Sequence, residues 1–249
     1  MKHRLSSFAL LALSAALGAV SAQADSTRPT AAPKEPSWVL HGSYSPSLVP
    51  ANFVATIDNP YFPLKPGTAF HYRGYKDAAS QRDDVVVTHQ KKRILGIACT
   101  VVRDTVSEHG KPIERTFDWY AQDKQGNVWY LGEDSFELKN GRFVRADDSW
   151  RSGVNGGKPG IIMRGNPRPG AVYRQEYYPA GGALDQARVV GKTSVRVPQG
   201  TYRRSLVTVE WSPADPQLEK KYYAAGVGEI REEVVQGGRE GFELVSVTH

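Results

Sequence analysis

Turn-forming residues punctuate this chain at short intervals, and that punctuation limits its fold more than any motif does. Lys65-Pro66-Gly67, His109-Gly110, Asp123-Lys124-Gln125-Gly126, Asn140-Gly141, Pro198-Gln199-Gly200 and Gln236-Gly237-Gly238 supply the Gly, Pro, Asn and Asp that tight turns require. The runs between them are rich in Val, Ile, Thr and Tyr, which fit a pleated, half-buried surface. This spacing predicts an all-β meander of about eleven strands rather than alternating βαβ units.

Two segments carry the local signal clearly. In Ile113 to Ala121 the residues Ile113, Phe117, Trp119 and Ala121 fall on one side of a strand, and Glu114, Thr116, Asp118 and Tyr120 on the other. The expectation is an apolar core face and a polar outer face. Around Phe136 to Phe143 the Asn140-Gly141 pair supplies the two positive φ angles of a type I′ hairpin turn. Leu184 to Val190 suits a short helix or an edge strand. Residues 151–170, with six glycines and three prolines, read as a long surface loop. No repeat of fixed period is visible, which argues against a propeller or solenoid. The fold class expected is a single antiparallel β domain, either a strongly curved sheet or a half-open barrel.

The N-terminus has the layout of a secretory signal. Lys2 and Arg4 precede an apolar run from Phe8 to Val20, and Ala22-Gln23-Ala24 offers small residues for cleavage. Residues 1–24 are therefore assigned to a signal peptide, 25–37 to a proline-rich disordered leader and 38–249 to the β domain. The only cysteine is Cys99, so none follows the cleavage point to carry a lipid, and no internal disulfide can form. The expected location is periplasmic or extracellular, soluble and not lipid-anchored. No later apolar run approaches the roughly 20 residues of a membrane-spanning helix.

Composition removes several function classes. The formal charge of +6 is a mild excess, and the clusters Lys91-Lys92-Arg93 and Arg203-Arg204 are too short to track a phosphate backbone, so no nucleic-acid partner is expected. The histidines after residue 24 (His41, His71, His89, His109 and His249) show no HxH or HxxxH spacing, and the alternating acids of an EF-hand are missing, so no metal or other cofactor is expected. There is no Gly-x-Ser-x-Gly elbow, and Cys99 lies in an apolar, strand-like stretch that suits a buried core thiol. The loop from Gly153 to Gly160 lacks the first glycine and the hydroxyl of a phosphate cradle. No catalytic residue is assigned.

One region concentrates chemistry. Between Phe117 and Trp150 lie Trp119, Tyr120, Trp129, Tyr130 and Trp150 together with Asp118, Asp123, Glu133, Asp134, Asp147 and Asp148. Aromatic faces beside carboxylates can stack on and hydrogen-bond a sugar or another amphipathic molecule. The candidate binding residues are Asp118, Tyr120, Glu133 and Trp150. Cross-strand aromatic core pairs with solvated acids would explain the same residues structurally.

The segments Asn59 to Gly67, Asp118 to Tyr130 and Lys221 to Gly228 resemble signatures of an uncharacterised family of secreted bacterial β-rich proteins, over nearly all of residues 53–248. Val195 to Tyr202 followed by the Tyr-x-x-Gly-Val-Gly pattern is similar to periplasmic lipoprotein carriers of the LolA and LolB type, which implies an open barrel able to hold an acyl chain. The family resemblance further implies a second cysteine where this chain has Ser205, making Cys99 and Ser205 neighbours on adjacent strands. Three functional readings stay open. The leading one is an exported, non-catalytic β protein that binds a small amphipathic or hydrophobic ligand or a cell-envelope partner. The others are a polysaccharide hydrolase using Asp118, Glu133 and Asp147, and a structural accessory domain with a filled core.

Overall fold

The computed structural model of the protein describes residues 33–249. The signal segment and residues 25–32 of the leader lie outside the described residues. Apart from one 3-10 turn at Pro50–Asn52, the regular structure is strand throughout. The strands are β1 (Phe53–Val54), β2 (Ala69–Lys76), β3 (Ala79–Ile94), β4 (Ile97–Glu108), β5 (Lys111–Asp123), β6 (Val128–Lys139), β7 (Arg142–Arg145), β8 (Trp150–Arg151), β9 (Lys158–Met163), β10 (Val172–Arg174), β11 (Glu176–Tyr177), β12 (Gln186–Val197), β13 (Gly200–Trp211), β14 (Leu218–Ala224), β15 (Gly228–Gln236) and β16 (Glu240–Thr248). Eleven of them have six residues or more, the number the turn spacing predicts.

Two antiparallel meanders, β2 to β6 and β12 to β16, are joined where β16 pairs with β2. At the far ends β6 pairs with β9, β9 with β11, and β10 with β12. Only Gln175 separates β10 from β11, so one short segment, Val172 to Tyr177, bonds to both sides and brings the curved sheet round into a barrel. The expected half-open barrel is thus nearly closed. Residues 38–44 strap this seam. The Leu40 N–H donates to Gln186 Oε1 at 2.7 Å, Arg174 donates to the Leu40 carbonyl at 2.7 Å, and the Tyr44 hydroxyl donates to the Pro159 carbonyl at 2.9 Å.

Several expectations are corrected in detail. The segment 151–170 is not one loop, because β9 lies inside it with a largely buried pattern. Pro159 and Gly160 hid that strand. Glycine is needed there, since a Cβ on Gly160 would lie 2.0 Å from the Gln175 carbonyl oxygen, where the backbone of the seam passes. Leu184 to Val190 contributes the start of β12 rather than a helix. Asn140 and Gly141 do take positive φ angles of 52° and 76°, as the hairpin requires. Cys99 on β4 and Ser205 on β13 are not on adjacent strands: β4 pairs with β3 and β5, and β13 with β12 and β14.

The largest correction concerns β5. Glu114, Thr116, Asp118 and Tyr120 point into the barrel with exposures of 3%, 0%, 0% and 0%. The apolar side faces outward, and a second core covers it. Ile94, Ile97, Cys99, Trp119 and Leu131 form that outer cluster, with Leu48 and Phe53 of the N-terminal segment packed over it. Both faces of β5 are therefore buried. Burial pushes the Cys99 thiol up to about 12, so it stays protonated and behaves as a core residue.

The interior is divided lengthwise. Toward one mouth it is apolar, with Val85, Val87, Val102, Val128, Leu206 and Ile230, and the segment 57–64 closes that end with Ile57, Phe62 and Leu64. The Gly226 N–H donates to the Pro60 carbonyl at 2.7 Å, and the Asn59 amide donates to the Gly126 carbonyl at 2.8 Å, pinning this cap to two turns. Toward the other mouth the same strands present acids. The outward positions of β2 to β4 include Arg73, Arg82, Asp84 and Arg103, the reverse of the apolar band of a transmembrane barrel. Among the described residues, no helix is long and apolar enough to cross a membrane.

Candidate functional site

Carboxylates dominate the buried polar groups. Among the described residues six Asp and eight Glu are buried, against one Arg and one Lys. Burial of so many acids with so few cations is costly unless protons are retained or shared. Two centres show how the chain manages it.

At the first, Tyr130 stands between two carboxyl groups. Its Oη lies 2.7 Å from Asp118 Oδ1 and 3.0 Å from Glu133 Oε2. A hydroxyl has one proton to donate, so if both contacts are hydrogen bonds, one carboxyl group must be protonated and donate to Tyr130. The local electrostatics agree. Burial raises Asp118 to about 7 against the Tyr130 bond that lowers it, and burial with the nearby Glu176, Asp148 and Asp118 charges holds Glu133 well above the carboxylate range. The Tyr130 phenol is itself held far above its usual value by burial and those acids. Tyr120 stacks on Tyr130 at 4.8 Å, Trp150 meets Tyr130 edge-on at 5.5 Å, and Phe62 meets Tyr120 edge-on at 5.4 Å.

The geometry arises from a bulge. Asp118 pairs with Glu133 but Tyr120 pairs with Tyr130, so β6 carries an extra residue at Leu131-Gly132. That extra residue changes the parity of the strand and lets Tyr130 and Glu133 both face inward. Gly132 adopts φ 132°, and a Cβ there would lie 2.4 Å from the Trp150 carbonyl oxygen.

At the second centre Lys221 is sealed among acids with 1% exposure. Its Nζ lies 3.1 Å from Glu232 and 3.6 Å from Glu210. Burial works against its charge, but Glu232, Glu210, Glu229 and Glu219 overcome that and hold the ammonium well above the usual lysine range. Glu219 is itself lifted to about 8, by burial first and then by the Glu232 charge. Farther round the ring, Asp104 and Asp83 are both buried and act on one another electrostatically. Burial and the Asp83 charge push Asp104 well up so that it keeps the proton, and burial lifts Asp83 to about 7.

The four sequence-predicted residues are thus brought together around one tyrosine. Asp118, Tyr120, Glu133 and Trp150 are 0%, 0%, 8% and 2% exposed, so none offers an open surface to a ligand. Tyr130 was named in the aromatic stretch but not among the candidates, and Lys221, Asp83, Asp104, Glu210 and Glu232 were not singled out in the sequence. Their signal was present as acids alternating with Thr, Tyr or Val at period two, as in Glu219-x-Lys221-x-Tyr223. The remaining acids of the 118–148 stretch are dispersed. Asp123 caps its turn, accepting from Gln125, Asn127 and Trp129, and Asp134 lies outside, 2.8 Å from Arg145. A hydrolase needs its two carboxyl groups in an open cleft around a sugar. Here the Tyr130 hydroxyl fills the gap between Asp118 and Glu133. Among the described residues no group of three or more His, Cys, Asp or Glu side chains is arranged to hold a metal ion.

Outside the wall, beside Trp150, lies a groove of about 510 Å³. Lys92, Trp119, Asp134, Arg145, Trp150 and Arg151 contribute to it. The Lys92 ammonium sits 3.5 Å from the Trp119 ring centroid and 3.5 Å from Asp134. Arg151 is exposed and makes no ion pair with a described residue.

No family model matches this chain, and no curated protein matches it. Among solved structures it is similar to a "putative lipoprotein" from Parabacteroides distasonis, with 11% identity and a TM-score of 0.35 over 76% of this chain and 99% of that one.

Proposed function

We propose that the protein is an exported, non-catalytic barrel that binds an amphipathic, anionic small molecule in the groove on its outer wall. The observation behind this reading is the contrast between the two sides of one wall. The inside is filled by Tyr120 stacked on Tyr130 and by Trp150 edge-on to it, whereas the outside holds an open volume within the 300–1,000 Å³ range of small-molecule sites. Lys92, Arg145 and Arg151 would meet an anionic group, while Trp119, Val154 and Tyr178 would lie against an apolar part. Asp118, Tyr120 and Glu133 enter as supports that hold the wall, not as contacts, while Trp150 both packs on Tyr130 and borders the groove. A carrier that takes an acyl chain into its interior fits less well, because the apolar half is occupied by the chain's own side chains and capped by Ile57, Phe62 and Leu64. The filled core also suits an accessory domain without a ligand.

Native mass spectrometry of protein purified from its own host tests the reading, with titration of lysophosphatidylglycerol as a defined amphipathic anion. Retention or binding by wild type, weakened at least tenfold in Arg145→Ala/Arg151→Ala, is the expected outcome, since each charge-assisted contact is worth about 1–3 kcal/mol. Equal binding by the variant would remove the groove. An empty protein that also fails to bind the probe would favour the accessory domain.

A further inference from the structure

Among the described residues, four X-Gly pairs take positive φ at both positions: Leu95-Gly96, His109-Gly110, Asn140-Gly141 and Asn155-Gly156. Histidine and asparagine tolerate this left-handed backbone, whereas a leucine at φ 49° is strained. The Leu95 side chain is also 49% exposed, so packing within the chain offsets little of that strain. An aliphatic residue therefore stands in solvent at the tip of the β3–β4 hairpin, where the matching turns use a polar one.

That tip lies at one end of the wall groove. A Cβ on Gly153 would be 2.6 Å from Leu95 Cδ2, so the leucine covers Gly153, the neighbour of Val154 in the groove lining. A Cβ on Gly96 would be 3.2 Å from Pro50 Cγ, which places Val49-Pro50 beside the same turn. Val49 and Val154 are 51% and 37% exposed, so three large apolar side chains gather here in solvent. Strand direction puts the cations at the opposite end. Because β3 to β6 are successively antiparallel, β3 runs against β6. The step from Lys92 to Leu95, about 10 Å at the usual rise of a strand, then points the same way as the step from Phe136, opposite Arg145, to Gly132, opposite Arg151. Both steps lead away from Arg145.

We infer that the groove continues as an apolar track over Val154 and Leu95, and that its occupant is a lysophospholipid with its phosphodiester among Lys92, Arg145 and Arg151 and its acyl chain along the track. The inference rests on the groove reading above and adds the class of ligand. Lys92, Arg145 and Arg151 stand against Asp134 and Asp147 in the lining, which leaves one positive charge for a head of one negative charge. The three cations come from β3, β7 and β8, and a tetrahedral phosphodiester accepts from three sides where a planar carboxylate accepts in its plane.

Calorimetric titration of the full chain tests this with hexanoyl, octanoyl, decanoyl and lauroyl lysophosphatidylglycerol, each kept monomeric. Affinity is expected to rise about two- to fourfold per added methylene as the chain reaches Leu95. Leu95→Asn puts a residue suited to φ 49° in the turn and should fold at least as well as wild type, which a melting curve checks. It should bind the hexanoyl lipid as wild type does and the lauroyl lipid about fivefold more weakly, since about half of the leucine is free to be covered. Val245→Thr, which alters another exposed valine on β16, should bind as wild type does. Affinity that is flat with chain length, or lauroyl binding unchanged in Leu95→Asn, would overturn the track while Arg145→Ala/Arg151→Ala still weakened binding and upheld the groove. If that arginine variant bound every lipid as wild type does, the groove would fall and the track with it. Tighter binding of laurate than of the lauroyl lipid would overturn the phosphodiester assignment, and equal losses in Leu95→Asn and Val245→Thr would reduce the effect to general surface adhesion and overturn the track.

Discussion

Tyr130 makes the interior intelligible at the scale of one residue. Its hydroxyl joins two carboxyl groups, donating to one and accepting from the other, which therefore keeps its proton. Tyr130→Phe should cost about 1–3 kcal/mol in urea unfolding, since two buried acids lose their shared partner. Asp118→Asn should act differently: an amide needs no proton, so this variant should match wild type only at about pH 4 or below, and be the more stable of the two at about pH 8, above the value near 7 of the acid it replaces. Loss of stability at both pH values would show that the carboxyl group is needed in itself. The sequence singled out Asp118, Tyr120, Glu133 and Trp150 as a group, and they are one. What it could not reveal is the side of the wall they occupy, because alternation defines two faces without saying which is inside, and the outer face of β5 has a core of its own.

At the scale of elements, hairpins were legible and parity was not. Asn140-Gly141 encodes its turn in two residues, whereas the bulge at Leu131-Gly132 depends on how β5 and β6 register against each other. The same holds for β9, whose Pro159 and Gly160 read as loop residues until the seam on Gln175 is seen. Gly132→Ala would force a methyl group to within 2.4 Å of the Trp150 carbonyl oxygen and displace β8 from β6. Destabilisation of at least about 2–3 kcal/mol in chemical denaturation is expected, above the usual range for a surface alanine. A neutral result would mean that β8 is held by something other than this close approach.

For the whole molecule the acidic half of the barrel sets the dependence on pH. Burial lifts Asp83 and Asp118 to about 7 and Glu219 and Glu240 to about 8, whereas the same groups in an unfolded chain titrate near 4. Raised carboxyl values mean that the folded state binds more protons, so this contribution to stability is complete below about pH 4 and is lost as the pH climbs through about 8. Asp84 acts in the opposite sense, held low by Arg82 and His71, but it is one group against many. If only about 2–3 kcal/mol survives structural relaxation, Tm should fall by about 5–10 °C between pH 5 and pH 8.5 in calorimetry. A Tm that rises over that interval would mean that the interior acids are ionised and paired.

The closed acidic chamber has a further consequence for how this protein meets its surroundings. Opening the wall at neutral pH would discharge protons from Asp104, Glu133 and their neighbours into the medium, and closing it would take them back. The barrel is in that sense a small acid reservoir, filled by folding and emptied by unfolding, and an acidic environment would hold it shut.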